Sequence, residues 1–414
     1  MRRRHSFALL LCNIMLIGGI ALAAPLRAEE ANEYIQGEVV VKLASASDLH
    51  DVAVEYGLDP VPIDQFGSRP IYQMRIVDGA SPQERAKALV ADGQKRVEYA
   101  EPNYTGQTPE GRHNVSWAKG EAASYASQWA PTAMRLAEAH QVSRGAGVTV
   151  AVLDTGVDAA HPDLARRLAG GYDFIDGDAN PAEEGSHEQN AAYGHGTHVA
   201  GLVALAAPDA QIMPVRVLDP DGLGNLWVMA EALAYAANPD GDATTDDGAD
   251  VINLSWGTPE SVELLKEVLQ DVIGVGGDAD EGGGGGQGIV VLAAAGNSGD
   301  SKPQYPAAED EMEILAVGAS TAEDTLATFS TYGNWVRIAA PGEAIVSGVP
   351  GGGYGTWSGT SMATPLAAGT AALVRSAYPD LGVVEVIDRI ESSAAKIDGA
   401  VPLRVDAAAA LGLN

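Results

Sequence analysis

The chain has 414 residues, with 56 acidic against 25 basic side chains and a formal net charge of −31. This length allows one large domain and a small one. The strong negative charge argues against nucleic acid and anionic membranes as partners, and it favours a soluble acidic protein.

The first 28 residues have the pattern of a secretory signal. Arg2-Arg3-Arg4 precedes an apolar stretch, and small residues follow. A membrane anchor is the alternative, but the stretch is short and is interrupted by Asn13 and by Gly18-Gly19. Cys12 is the only cysteine, so the exported protein would have no disulfide. We therefore expect a secreted protein, extracellular or periplasmic, without a membrane attachment after removal of residues 1–28.

Residues 33–104 predict a small α+β domain. A capping box opens its second helix, with Ser81 and Glu84 on either side of Pro82 at the first helical position. The elements predict a β-α-β-β-α-β order, which is ferredoxin-like. The predicted strands are Glu38–Leu43, Ile71–Val77 and Val97–Ala100, and the predicted helices begin after Ser47 and Ser81.

Residues 105–127 are polar and lack hydrophobic periodicity, so they predict a linker that contains the maturation cut. From 128 to 414, apolar β-branched runs alternate with helical segments. This pattern predicts a three-layer αβα domain with a mainly parallel sheet. Residues 274–288, with unbroken glycines at 282–286, predict a mobile surface loop. The predicted strands are 148–153, 211–218, 250–254, 288–295 and 314–319, and the predicted helices are 226–237, 261–273 and 364–377.

Three segments each place one reactive side chain among small residues: Asp154 in VAVLDTGVD, His195 in GHGTHVAG and Ser361 in GTSMATP. A serine hydroxyl is a poor nucleophile at neutral pH and needs a base to take its proton. A histidine can be that base when a carboxylate holds its imidazole in one tautomer. The three residue types therefore predict hydrolysis through a covalent acyl-enzyme.

Other roles are open to His195, His198 and Ser361. His195 and His198 could share a helix face and bind zinc, but their spacing is not that of His-Glu-x-x-His and no glutamate lies between them. Ser361 could be a helix N-cap, a position that also suits stabilisation of an oxyanion. Gly359-x-Ser361-x-Ala363 is not the Gly-x-Ser-x-Gly elbow of lipases, which disfavours a lipase.

The three motifs, in the order Asp, His, Ser, resemble those of the subtilisin-like serine peptidases, the subtilase family. The resemblance covers nearly everything after the leader. It implies a serine endopeptidase without a catalytic cofactor, with His195 catalytic and His198 structural. Ala293–Ser298 resembles the segment that supplies the oxyanion-hole asparagine, which implies that role for Asn297 together with the backbone N–H of Ser361.

Leu254–Gly257 resembles the family segment that pairs with an extended substrate backbone. Pairing through the backbone suits protein and peptide substrates of varied sequence. The walls of the implied pocket are apolar, so we expect cleavage after bulky apolar residues. The implied walls are Ser255, Trp256 and Gly257 on one side and Ala294, Ala295 and Gly296 on the other.

Val97–Tyr104 resembles the end of the inhibitory propeptides of subtilases. Residues 33–104 are therefore expected to assist folding and then to inhibit the enzyme as an intramolecular partner. Two other functions stay open, a catalytically silent binding module of the same fold and a processing protease dedicated to one target. We expect a monomer.

Gly171–Pro181 resembles a calcium loop of thermitase-like subtilases. Oxygen ligands at alternate positions are what a hard cation needs, although a solvated acidic turn is the alternative. The segment 183–192 is an insertion relative to the family pattern. The candidate ligands for a structural calcium ion are Asp173, Asp176, Asp178 and Asn180.

Overall fold

The structure is a computed structural model. It describes residues 33–112, 118–242, 245, 247–274, 288–310 and 312–413. The predicted leader and most of the predicted glycine-rich loop lie outside these residues. Within the described ranges, no helix has the length and apolar character needed to cross a membrane.

The N-terminal domain is an antiparallel sheet with two α-helices, in the predicted β-α-β-β-α-β order. The sheet order is β2-β3-β1-β4, and the capping box at Ser81 is present. Val39, Met74 and Leu89 are fully buried in its core. The elements are β1 (Tyr34–Leu43), α1 (Leu49–Glu55), β2 (Asp64–Gln65), β3 (Ile71–Arg75), α2 (Pro82–Val90) and β4 (Val97–Gln107).

The second domain is built on a nine-stranded sheet with the order β16-β17-β13-β12-β11-β10-β6-β8-β7. All its strand pairs are parallel except β16–β17. The predicted mainly parallel sheet is therefore confirmed. A small three-stranded sheet of the same domain has the order β14-β15-β5. The first elements of the domain are β5 (Ala118–Gly120), α3 (Ala122–Ser127), α4 (Trp129–Ala133), α5 (Leu136–Ala139), β6 (Thr149–Asp154), β7 (Tyr172–Asp173), α6 (His195–Ala206), β8 (Gln211–Arg216), β9 (Leu223–Asn225) and α7 (Leu226–Ala237). The remaining elements are β10 (Val251–Leu254), α8 (Glu263–Ile273), β11 (Val290–Ala294), β12 (Ile314–Ser320), β13 (Ile338–Pro341), β14 (Ile345–Val349), β15 (Gly353–Trp357), α9 (Thr360–Ala377), α10 (Val383–Ser392), β16 (Ala395–Lys396), β17 (Leu403–Arg404) and α11 (Ala407–Ala410).

Helix α6, which the sequence pattern did not predict, packs against α9 in the centre of the domain. Gly369 of α9 permits the contact, because a Cβ there would lie 2.4 Å from the Cβ of Ala206. Nearly every residue of α6 is buried. A helix that is buried on all sides has no polar face, so amphipathic periodicity could not reveal it.

Strand β4 docks the N-terminal domain onto the second one. It continues past the predicted boundary and pairs antiparallel with β9. Glu101 of β4 accepts hydrogen bonds from the N–H groups of Glu263 and Leu264, at the start of α8 (2.9 and 3.0 Å). Asn103 accepts one from the N–H of Trp227, at the start of α7 (3.3 Å). Backbone N–H groups in the first turns of two helices thus find acceptors across the domain interface.

The predicted linker, 105–127, contains regular structure. It holds the end of β4, a 3-10 turn at Pro109–Arg112, strand β5 and helix α3. Its polar composition gave no sign of these elements because their backbone partners lie elsewhere in the chain. Strand β4 pairs with β9 and strand β5 with β15.

Candidate active site

Asp154 is the last residue of β6, at the carboxyl edge of the central sheet. Only 1% of its surface is exposed, because β8 and β10 flank the strand. Its Oδ1 accepts the N–H of Thr155 at 2.8 Å, which fixes the carboxylate. Catalytic groups gather at this edge in open α/β sheets.

His195, the first residue of α6, meets that carboxylate. Its Nδ1 donates to Asp154 Oδ1 over 2.7 Å, and both side chains are buried. A small residue lets the helix come this close, since a Cβ on Gly196 would lie 2.2 Å from the carbonyl oxygen of Gly156. The small residues of the histidine motif therefore serve the contact between Asp154 and His195.

Trp357 supports both histidines from β15. Its ring lies 5.2 Å from the ring of His195 and stacks on the ring of His198 at 5.3 Å. His198 Nε2 lies 3.2 Å from the carbonyl oxygen of Gly355, and burial lowers the pKa of His198 to about 3. Its ring is therefore neutral. The sequence gave no indication of Trp357.

Ser361 lies in the first turn of α9 and is fully buried. Its neighbour across the site is Ser255, which follows β10. The hydroxyl of Ser255 donates to the carbonyl oxygen of Ser361 at 3.1 Å, and the hydroxyl of Ser361 lies 3.3 Å from the carbonyl oxygen of Ser255. These two contacts hold the first turn of α9 against the end of β10.

The side-chain amide of Asn297 is oriented by Thr360. Asn297 Oδ1 accepts from the N–H of Thr360 at 2.9 Å and from its hydroxyl at 3.0 Å. Because Oδ1 is fixed in this way, the direction of the amide nitrogen Nδ2 is fixed as well. Asn297 thus presents a fixed hydrogen-bond donor, as an oxyanion site requires.

A fourth side chain, Glu110, joins these groups, and sequence reasoning missed it. Its Oε1 accepts from Asn297 Nδ2 at 2.9 Å. Its Oε2 accepts from the hydroxyl of Ser361 at 2.8 Å and from His195 Nε2 at 3.2 Å. Asn297, Ser361 and His195 therefore converge on one carboxylate. Nothing in the local sequence marks Glu110, because its position depends on where β4 lies in the cleft.

The ring of His195 lies between two carboxylates. Burial alone would lower the pKa of His195, but Asp154 and Glu110 overcome that effect and raise it to about 10. With Glu110 in place, the imidazole is therefore protonated at neutral pH. A protonated ring cannot accept a proton from a hydroxyl group.

The end of β4 occupies a groove between β9 and the segment after β10. Thr105–Gln107 pairs antiparallel with β9. The N–H of Gln107 donates to the carbonyl oxygen of Gly257 at 3.0 Å, and the N–H of Gly257 donates back at 2.9 Å. The N–H of Thr108 donates to the carbonyl oxygen of Gly222 at 3.0 Å. The predicted wall segment thus pairs with an extended backbone that belongs to the chain itself.

Trp256 of that wall is fully buried, and the second predicted wall, Ala294–Gly296, follows at the end of β11. The side chain of Gln304 lies close to both walls. A Cβ on Gly296 would lie 3.0 Å from Gln304 Cγ, and one on Gly257 would lie 3.8 Å from Gln304 Cβ. The space between the predicted walls is therefore bordered by a polar side chain that the sequence did not indicate.

Two sequence profiles of known protein families match the chain. A profile described as the subtilase family matches residues 145–408. The chain belongs to the subtilase family of serine proteases. A profile described as the fervidolysin N-terminal prodomain matches residues 21–103, so this subtilase carries a prodomain. The predicted family, the α/β fold with a mainly parallel sheet, and the enzyme class are confirmed.

Two bacterial serine proteases are similar in sequence over most of the length of this subtilase. The thermophilic serine proteinase of Bacillus sp. (strain AK1) is 35% identical over 384 residues, which cover 89% of this chain and 85% of that protein. Thermitase of Thermoactinomyces vulgaris is 38% identical over 282 residues, 66% of this chain and 90% of that protein.

Among solved structures, fervidolysin from Fervidobacterium pennivorans, a keratinolytic enzyme related to subtilisin, aligns with a TM-score of 0.73 and 22% identity. The alignment covers 93% of this chain and 62% of the fervidolysin chain. At this identity the likeness concerns the fold.

The acidic loop of this subtilase is folded around an arginine. Arg216 of β8 is 1% exposed, and its Nη1 donates to Asp173 Oδ2 and to Asp176 Oδ2, each at 2.8 Å. Its Nη2 donates to Glu184 at 3.1 Å. The second oxygen of Asp173 accepts the N–H groups of Ile175 and Asp176. Both oxygens of Asp173 are therefore already used.

These residues do not fit the calcium ion predicted for the loop. Asp178 and Asn180 are exposed, and Asp178 Oδ1 accepts the N–H of Asn180. The four predicted ligands do not surround a common point, because Asp173 and Asp176 are directed at the guanidinium group of Arg216. Within the described residues, no group of three or more acidic, histidine or cysteine side chains could hold a metal ion. The sequence could not show that Arg216 would lie under the loop.

We predict that Arg216→Leu lowers the free energy of unfolding by about 3–5 kcal/mol, because it leaves the buried carboxylate of Asp173 without its guanidinium partner. The substitution is made in a Ser361→Ala background to prevent self-digestion. Lys302→Leu is the control, since Lys302 is exposed and its ion pair with Asp300 is worth little. Denaturant unfolding measures both. Hydrogen exchange of residues 171–181 with Arg216 intact should not respond to EDTA, and faster exchange would mean that the loop holds a metal ion.

Proposed function

We propose that this subtilase is made as an inactive precursor of a secreted serine endopeptidase. One observation carries the proposal, the convergence of Asn297, Ser361 and His195 on the carboxylate of Glu110, with Asp154 behind the imidazole. A carboxylate has the shape of the acid product of peptide hydrolysis. Groups that surround it in this way can surround a substrate carbonyl when Glu110 is absent. A catalytically silent binding module would not need all four.

In the proposed reaction, the oxygen of Ser361 attacks the carbonyl carbon while His195 Nε2 takes its proton. Asp154 keeps Nδ1 of His195 protonated and stabilises the imidazolium. Asn297 Nδ2 and the backbone N–H of Ser361 donate to the oxyanion. The C–N bond then breaks, and His195 returns its proton to the leaving amine. Water, activated by His195, hydrolyses the ester and releases Ser361.

We predict that Ser361→Ala lowers casein hydrolysis by at least about 10³-fold, because the nucleophile is lost. Ser358→Ala is the control, since that hydroxyl binds the N–H of Ala344 and lies outside the cluster around Glu110. Intact mass and N-terminal sequencing should show that only the Ser361 variant remains unprocessed. Casein hydrolysis or self-processing that persists in Ser361→Ala would contradict the proposal.

The substrate preference is proposed from the two walls, Ser255–Gly257 and Ala294–Gly296. We expect peptides with Phe, Leu or Met before the cut to have the highest kcat/KM, because the walls are mostly apolar and carry no charge. A panel of peptides that differ only at this position measures the preference. Arg or Asp as the best residue would contradict it, whereas cleavage of a single peptide sequence would favour a dedicated processing protease.

We further propose that the prodomain inhibits the precursor through Glu110. Strand pairing ends at Pro109, which has no N–H to donate, and the chain turns into a 3-10 helix there. The group that reaches Ser361 is then a side-chain carboxylate, which contains no peptide bond to cleave. The same carboxylate raises the pKa of His195. Glu110 therefore blocks the oxyanion site and keeps the base protonated.

We predict that Glu110→Gln and Glu110→Ala speed self-processing of the refolded precursor at pH 7 by about tenfold or more, since each pKa unit lost by His195 raises its neutral fraction about tenfold. The sign follows from the raised pKa, because the inhibited state persists at neutral pH and weakens as the pH rises toward 10. Intact mass over time measures the rate.

Glu121→Gln is the matched control for this experiment, since Glu121 is exposed and lies at the start of α3. It should process at the rate of the unmodified precursor. Unchanged rates in both Glu110 variants would show that the carboxylate does not restrain the enzyme.

A further inference from the structure

The first residue of the 183–192 insertion has a buried carboxylate that the mechanism above does not use. We propose that Glu183 is a positioning residue for catalysis, which holds the first turn of α6, and with it His195, against Asp154. The inference rests on the proposed function, because it concerns peptide hydrolysis by Ser361. The hydrogen bonds of its carboxylate go to Thr155, Gly194 and Thr197 and not to the imidazole, so Glu183 acts through other residues.

Both oxygens of Glu183 are surrounded by donors, although the residue as a whole is only half-buried. Oε1 accepts the N–H of Thr197 at 2.9 Å and its hydroxyl at 3.1 Å. Oε2 accepts the N–H of Gly194 at 3.1 Å. The hydroxyl of Thr155 lies 3.2 Å from both oxygens. A carboxylate, which only accepts hydrogen bonds, matches this set of donors.

Two of these donors belong to the N-terminus of α6. The N–H groups in the first turn of a helix have no partners within the helix, and a side chain usually caps them. Gly194 occupies the N-cap position and has no side chain to do so. Glu183 replaces that cap, and its negative charge also suits the positive end of the helix dipole.

The remaining donor connects the cap to the catalytic carboxylate. Thr155 directly follows Asp154, and its hydroxyl oxygen also accepts the N–H of Gly196 at 2.9 Å. Glu183 and Thr155 therefore bind each other and the first turn of α6. The 2.7 Å bond between His195 and Asp154 joins the same two segments. A shift of α6 relative to β6 would lengthen that bond.

The insertion is itself fixed, so Glu183 is held in place. The N–H of Ser186 donates to Asn190 Oδ1 at 3.1 Å, which closes a short turn. The N–H of Ala191 donates to Asp221 at 3.2 Å, and the N–H of Ala192 donates to the carbonyl oxygen of Pro220 at 3.1 Å. The segment between Glu183 and α6 is therefore anchored on the loop after β8.

The experiment compares kcat and KM of mature Glu183→Gln and mature wild-type enzyme on a chromogenic peptide. The concentration of active sites is measured by titrating Ser361 with a stoichiometric acylating reagent. Gln has the same size but places an amide group against the donors. We expect kcat to fall about tenfold to 10²-fold, the cost of a small displacement of a catalytic group, while KM changes less than twofold. The far-downfield proton resonance of His195 Nδ1–H should shift or broaden.

Two further variants set the comparison. Glu184→Gln is the matched control, since its exposed side chain binds Arg216 and not α6, and kcat should change less than twofold. Glu183→Asp keeps the charge and should recover part of the lost kcat. A merely structural role would lower the yield of folded enzyme and leave kcat per titrated site and the resonance unchanged, which would overturn the inference.

If Glu183→Gln does not fold, Thr155→Val tests the same inference, because it removes the hydroxyl that joins Glu183 to Gly196. A lower kcat at unchanged KM supports the inference, and a wild-type kcat overturns it. A wild-type enzyme without Ser361-dependent peptidase activity would instead end the proposed function. The two failures are therefore distinguishable.

Discussion

The buried hydrogen bond between Asp154 and His195 is the contact on which the site depends. It joins the end of a strand to the beginning of a helix, two elements separated along the chain by the acidic loop and the insertion. The helix can come this close to the strand because Gly196 has no Cβ, which would otherwise collide with the carbonyl oxygen of Gly156. Ser361 and Asn297 are then brought to the same place by α9, whose first turn binds both Ser255 and Asn297.

Carboxylates organise much of this acidic protein. Glu101 caps α8 across the domain interface, Glu183 caps α6 beside His195, and Asp173 pairs with buried Arg216. Glu110 accepts hydrogen bonds from Asn297, Ser361 and His195. In each case the negative charge is matched by backbone N–H groups, a guanidinium group or an imidazolium, which is the condition for burying it at a tolerable free energy. A chain with an excess of acidic residues can therefore use them as internal ligands.

The prodomain and the second domain share one continuous arrangement of strands. Strand β4 begins in the prodomain sheet, caps α8 and α7 on the way, and ends in the groove beside Gly257. Folding the prodomain thus presents an ordered strand and two helix caps to the second domain at once. This coupling gives a physical reason why such a segment can both assist folding and obstruct the cleft. The same strand delivers Glu110, which follows it by three residues.

The sequence by itself determined the family and the mainly parallel sheet, because contiguous motifs and the alternation of apolar runs encode them. It also predicted a small N-terminal domain and the site residues Asp154, His195, Ser361 and Asn297, each of which lies in a short motif. Only the tertiary structure decided what surrounds them. Helix α6 has no polar face to give a period, Arg216 lies far along the chain from Asp173, and Glu110 and Glu183 acquire their partners from segments that are distant in sequence. Such contacts depend on strand register and helix packing, and no local pattern records them.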